Sequence, residues 1–458
     1  MFIFIDWAVY SLAQPAFKQT ALLLYASSYV TWTFQTHTFS NAIESILVCL
    51  TIIAFLNFRR SRSVVSASGA LTGFLTSFGF FLRITFPAFI LPVVISAIPA
   101  VYERPTRLLL PAFTFTVVTF AAIYFDTIYY SQVSSAFSLH WKLSKSIIIT
   151  PLNNLLYNSS NRNLATHGIH PLYTHLIVNL PSLIGPGVFL PCLSNHLSLK
   201  SIIRLLTKDY VFLCAVSGIL LLSAKPHQEA RFLLPAVPLL LISFSQFYPR
   251  AGSKTWLTFW IVFNTAAGIF MGSFHQCGVV PSLEYLSNRL DHPREKFCGK
   301  ITESALAMPQ MTKVIWWRTY TCPKWVFGHA NNSQRKLVVR DLGGSIEALK
   351  NEIGSSVSVW HGDAILDTKG TCDAWALNNG KLERTFIVAP LSALPLNNNN
   401  NYDTNSEVMM WGKVLYPVTT IHHHVNLDDV DLKTDSVKEI LNRVAKQRGL
   451  GIFLLSSQ

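Results

Sequence analysis

The sequence predicts an α-helical polytopic membrane protein with a polar α/β region at its C-terminal end. Half of the 458 residues are hydrophobic and 13% are charged, whereas soluble domains usually contain about 25% charged residues. A transmembrane helix needs about 20 consecutive apolar residues, and apolar runs close to this length recur through residues 1–278. Residues 279–458 have the composition of a polar globular protein. We therefore predict a multispanning membrane region over 1–278 and a soluble region over 279–458.

The positions of the apolar runs predict ten helices in the membrane region. The first helix is shorter than a full span, and no basic segment of a signal peptide precedes it. We therefore expect the chain to begin inside a longer protein. The predicted helices cover residues 1–13, 19–34, 42–58, 64–82, 85–102, 108–125, 173–193, 207–226, 232–249 and 255–277.

Basic residues between these runs indicate which helix ends face the cytosol. Lys and Arg clusters fall on alternate connections, and the positive-inside rule places that face in the cytosol. The opposite, lumenal face then contains the long loop 126–172 and everything after His275. The N-x-[ST] sequons at Asn158 and Asn331 both lie on this face, as glycosylation in the endoplasmic reticulum requires. No nucleic-acid-binding motif accompanies the net charge of +13, so we expect no nucleic acid partner.

The soluble region is predicted to combine strands with at least one amphipathic helix. Four of the cysteines lie on the predicted lumenal face, where an oxidising compartment allows disulfides, but the sequence fixes no pairing. These are Cys277, Cys298, Cys322 and Cys372. The predicted strands are Lys336–Val339, Val357–Trp360 and Thr385–Val388, and the predicted helix is Ser436–Gln447.

The segment KPHQEARFLLP, residues 225–235, places charged residues between two apolar runs. Such charges cost about 2.5–3.5 kcal/mol each on insertion scales, which indicates a functional site. In an extended turn His227, Glu229 and Arg231 point the same way, whereas a helix would separate each pair by about 200°. The Arg and His are suited to bind a lipid phosphate, and Glu229 to orient the Arg or accept a sugar hydroxyl. The alternative is an interfacial ion pair between Glu229 and Arg231.

Two further segments contain candidate binding residues. Residues 31–41 interleave Gln35 and His37 with aromatic side chains, as sugar sites do, although an aromatic belt with a helix cap fits equally well. The loop 126–172 is too long for a simple connector, and we expect it to shape a substrate groove. Its histidines lack the spacing of a zinc site, so no metal is expected. The loop contributes Asp126, Asn153, Asn154, His167 and His170.

Other reaction classes find no support in the sequence. No phosphate-cradling Gly-rich loop, nucleophile elbow or H-E-x-x-H motif is present, which argues against ATP-driven and protease chemistry. A transporter would carry polar residues at the middle of the membrane, whereas the ionisable groups here crowd one edge.

Several segments, taken in order, resemble the dolichol-phosphate-mannose-dependent mannosyltransferases of the endoplasmic reticulum, in particular the fungal branch that adds the fourth mannose of the GPI anchor. Many relatives have Lys where this chain has Gln228, and the Gln favours that branch. The segments are SYVTWTFQTHTFSNAIE (28–44), RITFPAFI (83–90), DTIYY (126–130), ITPLNNLLYN (149–158), HGIHPLYTHLIVNLP (167–181), HQEARFLLP (227–235) and GSFHQCGVV (272–280), followed more faintly by HVNLDDVDL near the C-terminus.

The resemblance implies a GT-C glycosyltransferase with its active site at the lumenal surface of the membrane. It implies an inverting transfer of mannose from dolichyl-phosphate mannose to a trimannosyl GPI precursor, with an α-1,2-linked product and no bound cofactor. Partners would be these two substrates and the lipids of the endoplasmic reticulum. The implied substrate-binding residues are His227, Gln228, Glu229, Arg231, His37, Gln35, Arg83, Asn153, Asn154, His167 and His170.

The chain departs from this family at the expected general base. Family members carry an acidic HPDE-type motif just after their first span, and the sequence contains no such motif. Asp126 is an accessory candidate only. We therefore expect the chain as written to lack its base and to be inactive. The alternatives are a sibling transferase for the third GPI mannose or the N-glycan precursor, and a non-catalytic membrane protein or transporter.

Overall fold

A computed structural model shows two compact units, Met1–Gly268 and Ile269–Gln458. The division falls inside a helix, earlier in the chain than the boundary predicted after residue 278. The structure describes residues 2–37, 39–130, 147–160, 170–185, 203, 207–247, 254–291, 310–320, 322–323, 325–327, 335–360, 376–378, 381–394, 408–427, 438 and 447–457.

The first unit is helical. Its α-helices, named in chain order, are α1 (Phe2–Leu12), α2 (Lys18–Ser27), α3 (Tyr29–Thr33), α4 (Ser40–Arg60), α5 (Ala67–Leu82), α6 (Phe86–Glu103), α7 (Leu109–Tyr130), α8 (Thr150–Asn158), α9 (Leu180–Ile184), α10 (Tyr210–Ser223), α11 (Ala236–Phe244) and α12 (Lys254–Ser273). A π-helix spans Thr174–Asn179, and short 3-10 helices span Pro15–Phe17, Pro105–Leu108, Ala230–Leu233 and Ser245–Phe247.

The predicted fold class is confirmed. Among the described residues, four helices are long and apolar enough to cross a membrane, namely Ser40–Arg60, Phe86–Glu103, Pro105–Tyr130 and Lys254–Ser273. Shorter apolar helices accompany them at Ile3–Leu12, Ala67–Leu82, Thr174–Ile184 and Tyr210–Ser223. The chain is therefore a membrane protein in which long spans and shorter apolar helices pack together.

The predicted single helix over 19–34 is wrong, because the chain is extended at Ser28 (φ −70°, ψ 133°) and divides the run into α2 and α3. The break frees backbone groups, which side chains then satisfy. The Tyr29 N–H donates to Asn264 Oδ1 at 2.8 Å, and the Thr31 hydroxyl donates to the Tyr25 carbonyl at 2.6 Å. Helix breaks at membrane depth are tolerated where such partners exist. The partner Asn264 is distant in sequence, so the local pattern could not reveal the break.

The predicted helix over 173–193 is also shorter than expected. Helical structure ends at Ile184, because Gly185 has φ +58° and ψ −165°. A Cβ at Gly185 would lie 2.2 Å from the ring of Phe263, so only glycine fits this close contact. Residues 186–193 lie outside the described part of the chain.

Small residues bring α5 and α7 into close contact. Gly69, Gly73 and Ser77 recur at every fourth position of α5, a spacing that lets membrane helices approach closely. A Cβ at Gly73 would lie 2.1 Å from the Pro111 carbonyl oxygen. One turn further along, the Ser77 hydroxyl lies 2.9 Å from that of Thr119. The helix pair therefore depends on the missing side chain at Gly73.

The second unit contains a mixed sheet. Its strands are β1 (Gln310–Trp316), β2 (Arg335–Asp341), β3 (Val359–Trp360), β4 (Ala376–Asn378), β5 (Lys381–Pro390), β6 (Val408–Met410), β7 (Lys413–Ile421) and β8 (Leu450–Ser457). The order is β2-β1-β5-β8-β7-β6, with β3 beside β8 and β4 beside β5. The β1 strand is parallel to β2 and β5, whereas β5, β8, β7 and β6 pair antiparallel. Its helices are α13 (Val279–Asp291) and α14 (Ile346–Ser355).

Both faces of this sheet are buried. Val314 and Trp316 of β1 pack with α13 residues such as Leu283, and the alternate residue Ile315 packs with Leu349 of α14. Continuous burial along β5 follows from this two-sided cover.

The predicted strands 336–339 and 385–388 lie inside β2 and β5, whereas only the last two residues of the predicted strand 357–360 form β3. The predicted helix Ser436–Gln447 lies almost wholly outside the described residues, as do Cys298 and Cys372. Cys277 has a free thiol, and Cys322 is buried.

Two of the family-like segments meet within the second unit. His275 forms a parallel bridge with Val425, and the Gly278 N–H donates to His424 Nδ1 at 3.1 Å. A Cβ at Gly278 would lie 3.0 Å from that same nitrogen. The segments 272–280 and 424–426 are therefore close because they pack on one another.

We predict that Gly73→Ala destabilises the first unit. The added methyl would overlap the backbone of Pro111, at a cost of about 1–3 kcal/mol for overpacking, which exceeds the gain of about 1 kcal/mol in helix propensity. Thermal unfolding of the purified chain in detergent measures the effect. Gly268→Ala is the matched control, because its Cβ would meet its nearest neighbour at an ordinary 3.6 Å. Equal midpoints for the two variants would contradict the prediction.

Candidate functional site

The segment 227–231 forms a compact ionic group. Glu229 is extended (φ −101°, ψ 143°) and precedes the 3-10 turn Ala230–Leu233. Its carboxylate receives His227 Nε2 on one oxygen at 2.8 Å and contacts the Arg231 guanidinium with the other. The predicted convergence of these three side chains is confirmed, and the ion pair between Glu229 and Arg231 is present as well. Glu229 therefore orients both neighbours.

The contacts of Glu229 also fix its charge. Burial by itself would raise the pKa of the Glu229 carboxyl, but hydrogen bonds from His227 and Arg231 outweigh this effect and lower the pKa to about 2. The carboxylate is consequently ionised at every physiological pH. A group with so low a pKa is a weak proton acceptor, because efficient general bases have a pKa near the operating pH.

A second ion pair lies at Arg83, in the connection between α5 and α6. Its Nε lies 2.9 Å from Glu44 Oε2, and its Nη1 donates to the Ser40 hydroxyl at 2.7 Å. The Thr85 hydroxyl donates to the other Glu44 oxygen at 2.6 Å. Glu44 is fully buried. Glu44 is not among the residues predicted from the sequence, although an acidic residue inside the apolar run 42–58 is itself a signal of a functional or paired group.

Phe232 brings the two ion pairs together. The Arg83 guanidinium lies over the Phe232 ring at 5.6 Å, and the Arg231 guanidinium lies 5.9 Å from the same ring. Phe39 supports Arg231 at 5.8 Å. We call Glu44, Arg83, His227, Glu229 and Arg231 the polar cluster. Arg231 is 42% exposed, so one of its guanidinium edges is open to an anion, a ligand that guanidinium binds in two-pronged fashion.

Gln228 points away from the polar cluster into the protein and is 1% exposed. Its Nε2 donates to the carbonyls of Ser223, Lys225 and Leu172 at 2.8, 3.0 and 3.1 Å. Its Oε1 accepts from the His175 N–H at 2.7 Å. The structure thus places this predicted binding residue in an internal role, where it ties the turn to the segment 170–175.

His170 packs against the segment 227–231 of the polar cluster, whereas the structure places the predicted binding residues Gln35 and His37 elsewhere. The His170 N–H donates to the Pro226 carbonyl at 2.8 Å, and the His170 ring lies 6.0 Å from that of His227. Gln35 is buried and donates to the Ala42 carbonyl at 2.8 Å. His37 is exposed, stacks on Phe39 at 5.3 Å and contacts the Thr33 carbonyl. Phe39 of this segment contacts Arg231.

The loop residues lie around α8. The Thr150 hydroxyl donates to Asp126, so the start of α8 is fastened to the end of α7. Asn153 and Asn154 are exposed, and Asn158 Nδ2 donates to Asn154 Oδ1 at 2.6 Å. His167 and Asn331 lie outside the described residues. In the ranges that the structure describes, no three His, Cys, Asp or Glu side chains are close enough to hold a metal ion.

We predict that Gln228→Glu destabilises the chain by about 2–3 kcal/mol, because a carboxylate would replace a buried donor that faces three carbonyl oxygens. The midpoint of thermal unfolding in detergent is the measurement. Gln14→Glu serves as control, since Gln14 is exposed and forms one long side-chain hydrogen bond of 3.3 Å. A Gln228→Glu midpoint as high as that of the control would show that the internal role is misassigned.

Comparison with known proteins identifies relatives along nearly the whole chain. GPI mannosyltransferase 4 of Aspergillus oryzae is 36% identical over 471 residues, which cover 99% of this chain and 80% of the relative. The protein of the same name from Saccharomyces cerevisiae is 34% identical over 395 residues, which cover 82% of this chain and 67% of the relative. No solved structure matches. Residues 1–329 match the family described as Alg9-like mannosyltransferases, and the chain therefore belongs to that family.

Proposed function

We propose that the chain is an α-1,2-mannosyltransferase that transfers the fourth mannose from dolichyl-phosphate mannose to a trimannosyl GPI precursor. The observation that carries the proposal is the identity of 30–36% to relatives named GPI mannosyltransferase 4, along as much as 99% of the chain. The polar cluster supplies the chemistry that such a transfer needs at the departing phosphate.

The donor is proposed to bind with its phosphate at Arg231, beside Arg83. Breaking the bond between mannose and phosphate leaves negative charge on the lipid phosphate, and fixed cations at that position lower the barrier. Arg83 and Arg231 lie over one aromatic ring, and each is held by a carboxylate, so both are in place before the donor arrives. Inversion follows because a β-linked donor yields an α-linked product.

The general base is proposed to lie outside the polar cluster. An acceptor hydroxyl needs a carboxylate with an accessible lone pair. Glu229 is committed to His227 and Arg231, and Glu44 is fully buried with Arg83 and Thr85. The sequence contains no HPDE-type motif. The two acidic residues of the polar cluster therefore organise cations. Because these cations remain in place at the departing phosphate, the expected effect of the missing base is slow turnover instead of complete inactivity.

The site is proposed to face the lumen of the endoplasmic reticulum. The alternation of basic clusters along the chain supports this orientation. The sequon at Asn158 supports it as well. Asn158 ends α8, and the start of α8 is bonded to the end of α7. The lipid-linked donor and the GPI acceptor would then both reach the polar cluster from the lumenal leaflet.

We predict that the chain in lipid vesicles with dolichyl-phosphate mannose elongates trimannosyl GPI and leaves dimannosyl GPI and the N-glycan precursor unchanged. An α-1,2-mannosidase should remove the added sugar. Because the sequence lacks the HPDE carboxylate, its turnover should be about 10²–10⁴-fold lower than that of a family member that has this motif, since a general base usually contributes that factor. Radiolabelled mannose in the separated glycolipids is the measurement. Elongation of another acceptor would favour a sibling transferase, and fast turnover would contradict the missing base.

We predict that Glu229→Gln weakens donor binding by about tenfold, because His227 and Arg231 lose the charge that orients both. Since the pKa of Glu229 is lowered from 4.5 to about 2, its ion pairs contribute fully above about pH 4.5 and are lost only as pH falls toward 2. Glu229 therefore adds no pH dependence to donor affinity between pH 5 and 8.

Equilibrium binding of dolichyl-phosphate mannose across that pH range tests both statements. Glu103→Gln is the matched control, because Glu103 is an exposed acidic residue at the end of α6. An affinity for Glu229→Gln equal to that of the control would count against the proposed donor site.

A further inference from the structure

Two buried polar residues, His175 and Asn179, lie next to the polar cluster and have no role in the proposed function. His175 is fully buried, and Asn179 is 9% exposed. Both lie in the π-helix Thr174–Asn179. Helices of this kind are rare and are frequently found at functional sites. The Asn179 amide nitrogen lies 3.0 Å from His175 Nδ1, so the two side chains, four residues apart on this helix, are in direct contact.

The orientation of the Asn179 amide follows from its second contact. Asn179 Nδ2 also lies 3.4 Å from the backbone carbonyl of Gln228. A carbonyl oxygen only accepts hydrogen bonds, so the amide atom between it and the His175 ring is the nitrogen, a donor. His175 Nδ1 must then accept, and the His175 ring is neutral with its proton on Nε2. A protonated ring would place two N–H donors against each other at this contact.

The His175 ring contacts the aromatic face on which the guanidiniums lie. The rings of His175 and Phe232 meet edge to face, with centroids 6.5 Å apart. His227 meets the same Phe232 at 5.4 Å. Arg83 and Arg231 lie over the Phe232 ring at 5.6 and 5.9 Å. The orientation of His175 therefore affects where Phe232, and with it both guanidiniums, can lie.

The backbone reinforces this connection. The His175 N–H donates to Gln228 Oε1 at 2.7 Å, and the Gln228 N–H donates to His170 Nδ1 at 3.3 Å. Gln228 stands between His227 and Glu229 in the sequence, so the π-helix holds the cluster turn from its inner side. Side chains that orient a ligand-binding group from behind are worth about 10–100-fold in affinity in metal sites, and a comparable effect is expected here.

We propose that Asn179 and His175 are positioning residues of the polar cluster. Asn179 holds the His175 ring neutral and in one orientation, and the ring supports Phe232 so that Arg83 and Arg231 present their guanidiniums together to a lipid phosphate. The proposal rests on the proposed function, because it assumes that these guanidiniums bind the phosphate of the donor. Neither residue contacts the reacting atoms, and both act through Phe232 and Gln228.

The test compares a charged and a neutral form of one lipid. Dolichyl phosphate and dolichol are bound at equilibrium to the full chain in lipid nanodiscs. The unaltered chain should bind dolichyl phosphate more tightly. Asn179→Ala should weaken the binding of dolichyl phosphate by about tenfold, equal to 1.4 kcal/mol. The affinity for dolichol should change by less than about twofold. Asn57→Ala, at an exposed asparagine of α4, is the matched control and should change neither. Retained dolichol binding shows that the variant is folded.

A double-mutant cycle separates positioning from general stability. His175→Phe keeps a ring against Phe232 but offers no nitrogen to Asn179. In that background Asn179→Ala should cause no further loss of dolichyl phosphate binding, because Asn179 acts through the imidazole. An equal loss in both backgrounds, or no loss in either, would overturn the positioning role while leaving the phosphate site in place. An unaltered chain that does not distinguish dolichyl phosphate from dolichol would instead overturn the phosphate site of the proposed function.

Discussion

The Glu229 carboxylate, shared between His227 and Arg231, is the interaction on which the rest of the site depends. A half-buried carboxylate at the edge of apolar helices is costly unless charged donors surround it. Glu229 has one such donor on each oxygen, and the same logic pairs Glu44 with Arg83. Because Glu44 holds Arg83 and Glu229 holds Arg231, the two guanidiniums remain close to each other beside the Phe232 ring.

These ion pairs lie where helices are interrupted, so the surrounding structure must supply hydrogen bonds to the backbone groups that the interruptions leave unpaired. The turn that carries Glu229 interrupts helical structure, and the Gln228 amide then accepts or donates at four backbone groups. At Ser28 the interruption is repaired by Asn264 in the same way. The buried side chains of Gln228 and Asn264 therefore complete hydrogen bonds that a continuous helix would have made itself.

Sequence reasoning succeeded where the physical cause is local. His227, Glu229 and Arg231 alternate along five residues, so an extended turn was enough to predict that they converge. It failed where the partner is remote. The break at Ser28 depends on Asn264, and the end of the helix at Gly185 depends on the nearby ring of Phe263. Glu44 was missed because a single acid in an apolar run reveals its role only when Arg83, from the next connection, is seen beside it.

The sequence by itself determined that the chain is a helical membrane protein with a polar C-terminal region, because hydrophobicity, charge alternation and spacing along the chain are sufficient for that inference. It also identified the segment 225–235, since charges between apolar runs are expensive. Only the tertiary structure decided that Gln228 faces inward while its neighbours face the polar cluster, and that Phe232 brings Arg83 and Arg231 together. Such contacts join residues from different helices, and their energies depend on distances that no local pattern encodes.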